Sequence, residues 1–384
     1  MRDKYQLKLI SLTVLLILGI AACGGDASTD TDEVLSEVEA TAEDIADDVA
    51  DDSTETAQST EAAPTDEASA AAGSGDGEAV MMRMAWGIPA EEVHYLMIEN
   101  PELAPNLGSC YDVEWTQFAG TALGVQGIAA GTLDGATVGG LSAANGIEQG
   151  ADIVLTGEFI EERSGNFSTA WMKAEDSGID TPADLEGKTV ATSAIGGSTD
   201  YIQDFYIEEE SGGLQPDAGY TKVAVPFGQQ VEGIQAGQFD LGIYPQPFYS
   251  QVVAAGGYDV LFRLTDVIDP FVQLLQGFRG EFVEQNPEAV QCFMDDFATL
   301  SDFAADPANR DTVIAASSGA TGIPAEVLEG FLLTEEDFFR PSGGAISVEA
   351  LQNEWDFFLE RGGISEELSV QDYLVDQSLV AEGE

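Results

Sequence analysis

The chain has 384 residues, of which 70 are Asp or Glu, 13 are Lys or Arg and one is His, so its formal net charge at pH 7 is −57. This charge argues against binding to nucleic acid or to anionic lipid headgroups, and it suits either a saline medium or solubility in general. An anionic ligand would have to be held mainly by backbone N–H groups and a few polar side chains.

The first 22 residues have the pattern of a secretion signal. Positive charges within 2–8 precede an apolar run, 9–22, that is short for a membrane span. The run ends in Gly-Ile-Ala-Ala-Cys at 19–23, which resembles the lipobox of bacterial lipoproteins. The resemblance implies cleavage before Cys23 and lipidation of its thiol; an ordinary secretory signal or an uncleaved anchor is the alternative. We expect an extracytoplasmic protein, anchored by lipid to the periplasmic or outer face of a membrane.

Residues 24–79 are predicted to be a tether that follows the lipidated Cys23. They are rich in Asp, Glu, Thr, Ser, Ala and Gly and contain no Lys, Arg or aromatic residue. Such a segment buries too little apolar surface to offset its ordering entropy, and its like charges keep it extended. The folded body is therefore 80–384, which is long enough for one large or two modest domains.

Strands and helices alternate in the first part of the body. The predicted strands are 81–86, 111–118, 135–139 and 152–156, and the predicted helices are 89–100, 121–130 and 142–149. This alternation is typical of a largely parallel sheet with helices on both faces. The segment 158–166 is predicted to be an acidic loop.

A second α/β region comes next, and then a helical remainder. The predicted strands are 167–173, 188–192, 222–225, 240–244, 258–264 and 271–279, with a helical turn at 181–185 and helices at 199–210 and 229–236. Further helices are predicted at 286–305, 308–318, 324–332, 347–361 and 370–380. We expect lobe one to contain 80–166 with 275–384 and lobe two 167–274, with a hinge at crossings near 166–170 and 271–278.

One helix–turn–strand phrase occurs twice, at 127–139 and 233–245. Gly131 and Gly237 fit the left-handed position that ends a helix. Asp134 and Asp240 are placed to close an Asx turn before the strand. Two such units suggest two similar lobes whose strand ends face each other across a ligand cleft, although connections of this kind are also common by chance.

Residues 184–191, Asp-Leu-Glu-Gly-Lys-Thr-Val-Ala, resemble the entry to the second lobe of bacterial ABC-transporter solute-binding proteins. The resemblance is to the sulfonate, taurine and nitrate branch, which includes thiamine-precursor binders, and it continues in order through 113–118, 130–134, 197–199, 236–240 and 286–290. It implies a type II periplasmic-binding-protein-like fold, with two doubly wound α/β lobes joined by a two-segment hinge. The second repeat departs from the family pattern, because Tyr-Pro-Gln-Pro-Phe stands at 244–248.

The resemblance also implies a function. It indicates a monomeric, extracytoplasmic receptor of an ABC importer that carries a small organic anion or zwitterion to a permease with its ATPase subunit. No enzymatic activity and no cofactor are predicted. The alternatives are a binder of a neutral heterocycle, such as a thiamine-precursor pyrimidine, and a secreted enzyme or sensor on the same fold.

The predicted ligand contacts begin at the glycine-rich helix start 196–199. Free N–H groups and the helix dipole there can bind a sulfonate, nitrate or carboxylate, whereas plain N-capping is the alternative. Matching positions are expected in lobe one, and aromatic residues or Gln246 are expected near the strand ends, unless they belong to the lobe cores. The predicted ligand-binding residues are Trp86, Gly120, Thr121, Leu141, Ser142, Trp171, Gly197, Ser198, Thr199, Phe227, Tyr244 and Gln246, with Phe248 placed equally well in cleft or core.

Three further kinds of residue bear on the chemistry. Glu158 follows a predicted strand and could pair with an ammonium group, but a solvated loop charge is favoured. Cys110 and Cys292 either form a disulfide within lobe one or remain reduced thiols. His94 is the only histidine, and we expect it to be solvent-facing or half-buried on its helix. No metal-ligand spacing of His or Cys is present in the sequence, so no catalytic residue or metal is predicted.

Overall fold

The computed structural model describes residues 79–87, 90–118 and 120–375. The predicted signal peptide, Cys23 and the acidic tether lie outside these residues, as does the end of the last predicted helix. Within the described ranges, no helix combines the length and apolar character that a membrane crossing requires.

The described strands and helices alternate first and become mainly helical towards the C-terminal end. The strands are β1 (Val80–Trp86), β2 (Tyr111–Gln117), β3 (Gly135–Val138), β4 (Ile153–Glu162), β5 (Ala170–Ala174), β6 (Thr189–Thr192), β7 (Thr221–Ala224), β8 (Gly242–Tyr244), β9 (Tyr258–Arg263) and β10 (Phe271–Arg279). The α-helices are α1 (Glu92–Glu99), α2 (Thr121–Ala129), α3 (Gly140–Glu148), α4 (Ser198–Ser211), α5 (Phe227–Gln235), α6 (Phe248–Ala255), α7 (Gly280–Gln285), α8 (Pro287–Ala305), α9 (Arg310–Thr321), α10 (Ala325–Leu328) and α11 (Val348–Glu360).

The first lobe is built on a five-stranded sheet in the order β2-β1-β3-β10-β4. Strand β1 is parallel to β2 and β3, whereas β10 is antiparallel to β3 and β4. The antiparallel strand is the one with which the chain returns from the second lobe. Parallel strands need helical crossovers, so α1, α2 and α3 follow from the strand order.

The second lobe repeats this plan with smaller pieces. Strand β5 lies between β8 and β9, and β6 pairs with β7 in parallel. A parallel bridge between Val190 and Leu241 joins the two groups, with the Ala191 N–H donating to the Leu241 carbonyl at 2.8 Å. The confirmed architecture is therefore two α/β lobes, as the sequence predicts.

The chain passes between the two sheets twice, from β4 to β5 and from β9 to β10. The two passing segments are joined by hydrogen bonds, among them Leu264 N–H to the Thr169 carbonyl at 2.9 Å and Thr265 N–H to Ser168 Oγ at 3.0 Å. Strand β10 pairs with β4 from Phe271 onward, so 271–274 belong to the first sheet and not, as predicted, to the second lobe. A hinge at these crossings remains a prediction.

Strand β4 shows the largest departure from the predicted elements. The expected loop 158–166 is wrong, because β4 continues to Glu162 and Glu158, Glu161 and Glu162 are fully buried. Backbone N–H groups outside β4 contribute to this: Glu158 accepts from the Ser347 N–H at 2.8 Å, and Glu162 accepts from the Thr169 N–H at 2.6 Å. Burial raises the pKa of Glu158 to about 8 and that of Glu162 to about 7. Glu158 is thus not a solvated loop charge.

Other differences are small. Helices α6 and α7 are absent from the predicted elements, and the 370–380 helix is represented by a short 3-10 turn, Val370–Tyr373, before the described residues end. Cys110, just before β2, and Cys292, on α8, form a disulfide with an S–S distance of 2.08 Å and a Cα–Cα distance of 6.4 Å. This is the paired alternative of the two that the sequence leaves open.

Candidate functional site

A cavity of about 790 Å³ lies between the two lobes and is here called the cleft. Its lobe-one wall comes from α2, from the start of α3 and from Gly87, which follows β1. Its lobe-two wall comes from Ser193 to Ser198 after β6 and from Pro226 and Phe227 after β7. The cleft therefore lies outside the carboxyl ends of strands in both lobes, where open α/β sheets bind ligands.

The lobe-two wall contains the glycine-rich start of α4. Gly196 has a φ of 78°, a left-handed conformation that favours glycine, and Gly197 caps the helix without a side chain. Among the described residues, no acceptor satisfies the backbone N–H groups of Ser198 and Thr199. Two N–H donors and the positive end of the helix dipole are therefore available at this wall.

The same helix start has a carboxylate beside it. Asp200 accepts from the Gly196 N–H at 2.9 Å, and Lys222 Nζ lies 2.8 Å from its Oδ1 and 2.7 Å from Asp204 Oδ2, so one ammonium group is shared by two carboxylates. Thr199 is a predicted ligand contact, but its hydroxyl lies 3.2 Å from Ser193 Oγ and the residue does not line the cleft. Ser198 is thus the residue of α4 that brings a hydroxyl to the cleft, next to Ser193 on the same wall.

The lobe-one wall presents two further hydroxyls. Ser142, in the first turn of α3, accepts from the Gly139 N–H at 3.0 Å and lies 3.2 Å from Thr121 Oγ1. Gly120 precedes α2 with a φ of 116°. The cleft brings together the predicted residues Gly120, Thr121, Leu141, Ser142, Gly197, Ser198 and Phe227.

Two predicted aromatic contacts lie in the core of lobe two. Trp171 is fully buried, stacks on Phe262 at a centroid distance of 4.4 Å and donates its indole N–H to Gln203 at 2.8 Å. Tyr244 is also fully buried and donates its hydroxyl to the Gln230 carbonyl at 3.1 Å. Both predictions are wrong, because Trp171 on β5 and Tyr244 on β8 are buried in the core of the lobe. A heterocycle stacked between Trp86 and Tyr244 is therefore excluded.

The end of the second repeat also lies away from the cleft. Gln246 is 4% exposed, donates to the Glu336 carbonyl at 3.2 Å and accepts from Ser250 Oγ at 2.8 Å. Phe248 begins α6 and packs near Phe227, with ring centroids 6.3 Å apart. The predicted contact of Gln246 with the ligand is wrong, since its amide serves the protein backbone.

A smaller cavity, here called the recess, adjoins the cleft and shares Gly87, Gly120 and Thr121 with it. Its other lining residues are Ala85, Trp86, Glu91, Phe118, Gly124 and Thr137. Trp86 is 8% exposed and makes an edge contact with Tyr95. Trp86 thus borders the recess and does not line the cleft, in contrast to the prediction.

The single histidine is buried, contrary to the expectation of a solvent-facing or half-buried side chain. His94 Nε2 lies 2.9 Å from Gln276 Oε1, and its Nδ1 lies 3.6 Å from Glu91 Oε2. The Gln276 amide donates to the Ala136 and Gly277 carbonyls, so its oxygen faces His94 and the Nε2 atom carries the proton. Helix α1 packs against α8 and α9, and this tertiary covering is absent from the sequence pattern.

These two lobes and their cleft define a two-lobed periplasmic-binding-protein fold, and comparison with known proteins agrees. A model of the NMT1-like family matches residues 75–318, and the chain belongs to the NMT1-like family. Comparison with curated proteins finds no match.

Solved structures with this fold include binding proteins and an enzyme. The periplasmic aliphatic sulphonate binding protein SsuA from Escherichia coli is 20% identical with a TM-score of 0.63, over 79% of this chain and 94% of that one. The periplasmic nitrate-binding protein NrtA from Synechocystis PCC 6803 is 13% identical with a TM-score of 0.60, over 79% and 88% of the two chains. The desulfurization enzyme DSZB is 13% identical with a TM-score of 0.58, over 78% and 97%.

Proposed function

We propose that this protein is the extracytoplasmic solute-binding component of an ABC importer, which captures a small organic anion or zwitterion in the cleft and delivers it to a permease. Aliphatic sulfonates such as taurine are the leading candidates. The observation that carries the proposal is the start of α4, where Ser198 lines a cavity of about 790 Å³ with a hydroxyl and a backbone N–H, and where the adjacent Thr199 N–H also has no acceptor among the described residues. Thr121 and Ser142 offer hydroxyls from the opposite wall.

The composition of the cleft favours binding over catalysis. Among its described lining residues there is no Asp, Glu, Lys, Arg, His or Cys, so acid–base or nucleophilic chemistry would lack its usual side chains. The fold by itself does not decide between a binding protein and an enzyme, because the desulfurization enzyme DSZB has a similar fold. Backbone N–H groups are suited to a net negative protein, since they attract an anion without adding a basic side chain.

Calorimetry of the mature protein tests the proposal with taurine, ethanesulfonate, nitrate and a pyrimidine. Ser198→Ala removes one charge-assisted hydrogen bond to the anion. We expect the binding free energy to weaken by about 1.5–3 kcal/mol, which is a rise in Kd of roughly 10- to 150-fold. Gly197→Val should weaken binding further, because a side chain there hinders the approach of the ligand to the backbone.

Thr199→Val is the matched control, because it changes the neighbouring hydroxyl that bonds Ser193 and does not line the cleft. Its Kd should stay within about twofold of wild type, well below the effect of a lost charge-assisted bond. Tight pyrimidine binding that Ser198→Ala does not change would contradict the anion proposal. Equal losses of anion affinity in Ser198→Ala and Thr199→Val would contradict it as well.

Closure of the lobes about the two crossings accompanies this function. Two large apolar side chains are exposed at the two walls: Leu123, in the cleft lining, at 43% and Ile195, next to Gly196, at 71%. Closure over a ligand would bury such surface. Small-angle scattering should show compaction on addition of a ligand that calorimetry has confirmed, and an unchanged radius of gyration would contradict closure.

Membrane attachment through Cys23 completes the proposal. Expression of the full chain in a bacterial host should place it in the membrane fraction, and Cys23→Ser should release it to the soluble extracytoplasmic fraction. A wild-type protein found only in the soluble fraction would contradict lipid anchoring.

A further inference from the structure

The recess has a chemical character opposite to that of the cleft it adjoins. The described lining of the cleft has no charged side chain, whereas the recess contains Glu91, which is fully buried. A buried carboxylate favours a positive or hydrogen-bond-donating partner. The recess and the cleft share the lining residues Gly87, Gly120 and Thr121, so a ligand group held in the recess would lie beside the cleft.

The position of the Glu91 carboxylate is set by the backbone. The Gly87 N–H lies 3.2 Å and 3.3 Å from its two oxygens, directly after β1. An ionised carboxylate only accepts hydrogen bonds and can accept several. His94 lies 3.6 Å from the same carboxylate but does not line the recess. Glu91 is therefore held at the recess wall as an acceptor.

Thr137 provides an independent observation. Its side chain is 4% exposed, and its hydroxyl has no hydrogen-bond partner among the described residues. A buried hydroxyl without a hydrogen-bond partner is unfavourable, so such a group favours a partner that binds there. Thr137 is on β3, Glu91 precedes α1, and both line the recess. The recess thus offers a second acceptor next to the carboxylate.

The remaining lining suits a compact cation. Trp86 and Phe118 add aromatic rings, and an ammonium group within about 6 Å of an aromatic face is attracted by its quadrupole. Gly120 and Gly124 place no side chain in the recess on the side where it meets α2. A primary ammonium group supplies three N–H donors for the carboxylate and the hydroxyl.

We propose that the recess bounded by Trp86, Glu91, Phe118 and Thr137 is a subsite for the ammonium end of a zwitterionic solute, whose anionic end lies at the start of α4. This inference rests on the proposed function and narrows it to ω-ammonium sulfonates or carboxylates. It also moves the cation-binding role from Glu158, which is buried in β4 and bonded to Ser347, to Glu91.

Two sulfonates of nearly equal size test the subsite. Calorimetry compares taurine, which ends in an ammonium group, with ethanesulfonate, which does not. Wild type should prefer taurine by about tenfold or more, the value of one charge-assisted hydrogen bond. Glu91→Gln keeps the shape and the acceptor for Gly87 while removing the charge, and it should bring the preference close to one. Thr137→Val should reduce the preference in part, and Thr137→Ser should restore it.

Glu102→Gln is the matched control, since it makes the same change at an exposed position outside both cavities and should keep the wild-type preference. Thermal unfolding of each variant checks that it is folded. If wild type binds both sulfonates equally, or if Glu91→Gln leaves the preference unchanged, the subsite is refuted while the proposed function stands.

If neither sulfonate binds wild type, the sulfonate form of the proposed function fails, and ethanolamine then decides the subsite alone. Binding of ethanolamine that is lost in Glu91→Gln supports the subsite, and absence of binding refutes it.

Discussion

The two copies of the helix–turn–strand repeat, 127–139 and 233–245, share their backbone hydrogen bonds but lead into different structures. Asp134 donates its N–H to the Arg83 carbonyl at 2.8 Å and accepts from the Arg83 N–H at 3.0 Å. Asp240 makes the same pair of bonds to Thr189, at 2.7 Å and 2.8 Å. Each aspartate therefore joins its turn to the neighbouring strand, which corrects the predicted Asx turn.

After these bonds the copies diverge. In lobe one, Gly139, Leu141 and Ser142 line the cleft at the start of α3, whereas in lobe two Gln246 is buried and bonded to Glu336. The lobe-two wall is supplied instead by the segments after β6 and β7. The repeated sequence thus marks the same way of bonding a turn to its neighbouring strand, and residues that line the cleft lie where the copies no longer match.

The largest expected difference between the copies concerns their aspartates. Asp134 is buried and also contacts Arg83 at 2.6 Å and Arg279 at 2.9 Å, whereas the Asp240 side chain is 36% exposed and lies 3.6 Å from Lys188. Asp134→Ala should cost about 3 kcal/mol of unfolding free energy, the lower end for a buried ion pair. Asp240→Ala should cost about 1 kcal/mol. Urea unfolding measures the unfolding free energy of both variants. Equal losses in the two would show that the aspartates contribute alike to stability.

The pH dependence sharpens this comparison. Burial acts to raise the pKa of Asp134, but hydrogen bonds from Arg83 and Arg279 outweigh it and hold the pKa below its ordinary value of 3.8. A lowered folded-state pKa contributes stability that is present above the ordinary value and is lost as the pH falls through the folded one. The stability difference between wild type and Asp134→Asn should be constant from pH 7 to about 4 and shrink below it. A difference that grows on acidification would contradict the assignment.

A third prediction tests whether the copies pack alike. Gly127 and Gly233 occupy equivalent helix positions, and a Cβ would meet Leu133 in the first copy and Phe239 Cε1, at 2.5 Å, in the second. Changing either glycine to alanine should destabilise by about 1 kcal/mol, because overpacking outweighs the gain in helix propensity. Gly228→Ala, also in α5, is the control and should not destabilise, because a Cβ there would lie 4.0 Å from its nearest neighbour, Phe248 Cε1. Urea unfolding measures the change in unfolding free energy for each variant. If alanine stabilised the protein at one of positions 127 and 233 and destabilised it at the other, the two copies would not be equivalent.

The smallest expected effect concerns the residues that follow each copy of the repeat, Ser142 and Gln246, and their contribution to sulfonate affinity. Ser142→Ala should weaken sulfonate binding by about 1 kcal/mol, or roughly fivefold in Kd, through loss of a cleft hydroxyl. Gln246→Ala should lower the unfolding free energy by a similar amount without changing the Kd, because its amide bonds only protein groups. Calorimetry and thermal unfolding of both variants decide this, and a shift in Kd for Gln246→Ala would restore it to the site.

Much of the fold is determined by local sequence. Gly131 and Gly237 adopt φ values of 67° and 66°, as a left-handed helix end requires, and the alternation of strands and helices is confirmed along both lobes. The glycine-rich start of α4 is recognisable for the same reason. Turn chemistry and apolar periodicity depend on neighbouring residues, so they can be identified without knowledge of the tertiary structure.

Burial of unusual side chains is decided only by the tertiary structure. Glu158 and Glu162 lie inside β4, where the Ser347 and Thr169 N–H groups donate to them, and Glu91 lines the recess, where the Gly87 N–H donates to its carboxylate. Trp171 is in the core, although its sequence surroundings resemble those of a strand-end contact. Whether a charge is compensated, or an aromatic ring reaches a cleft, depends on partners far along the chain, and their positions are set only when the two sheets have formed.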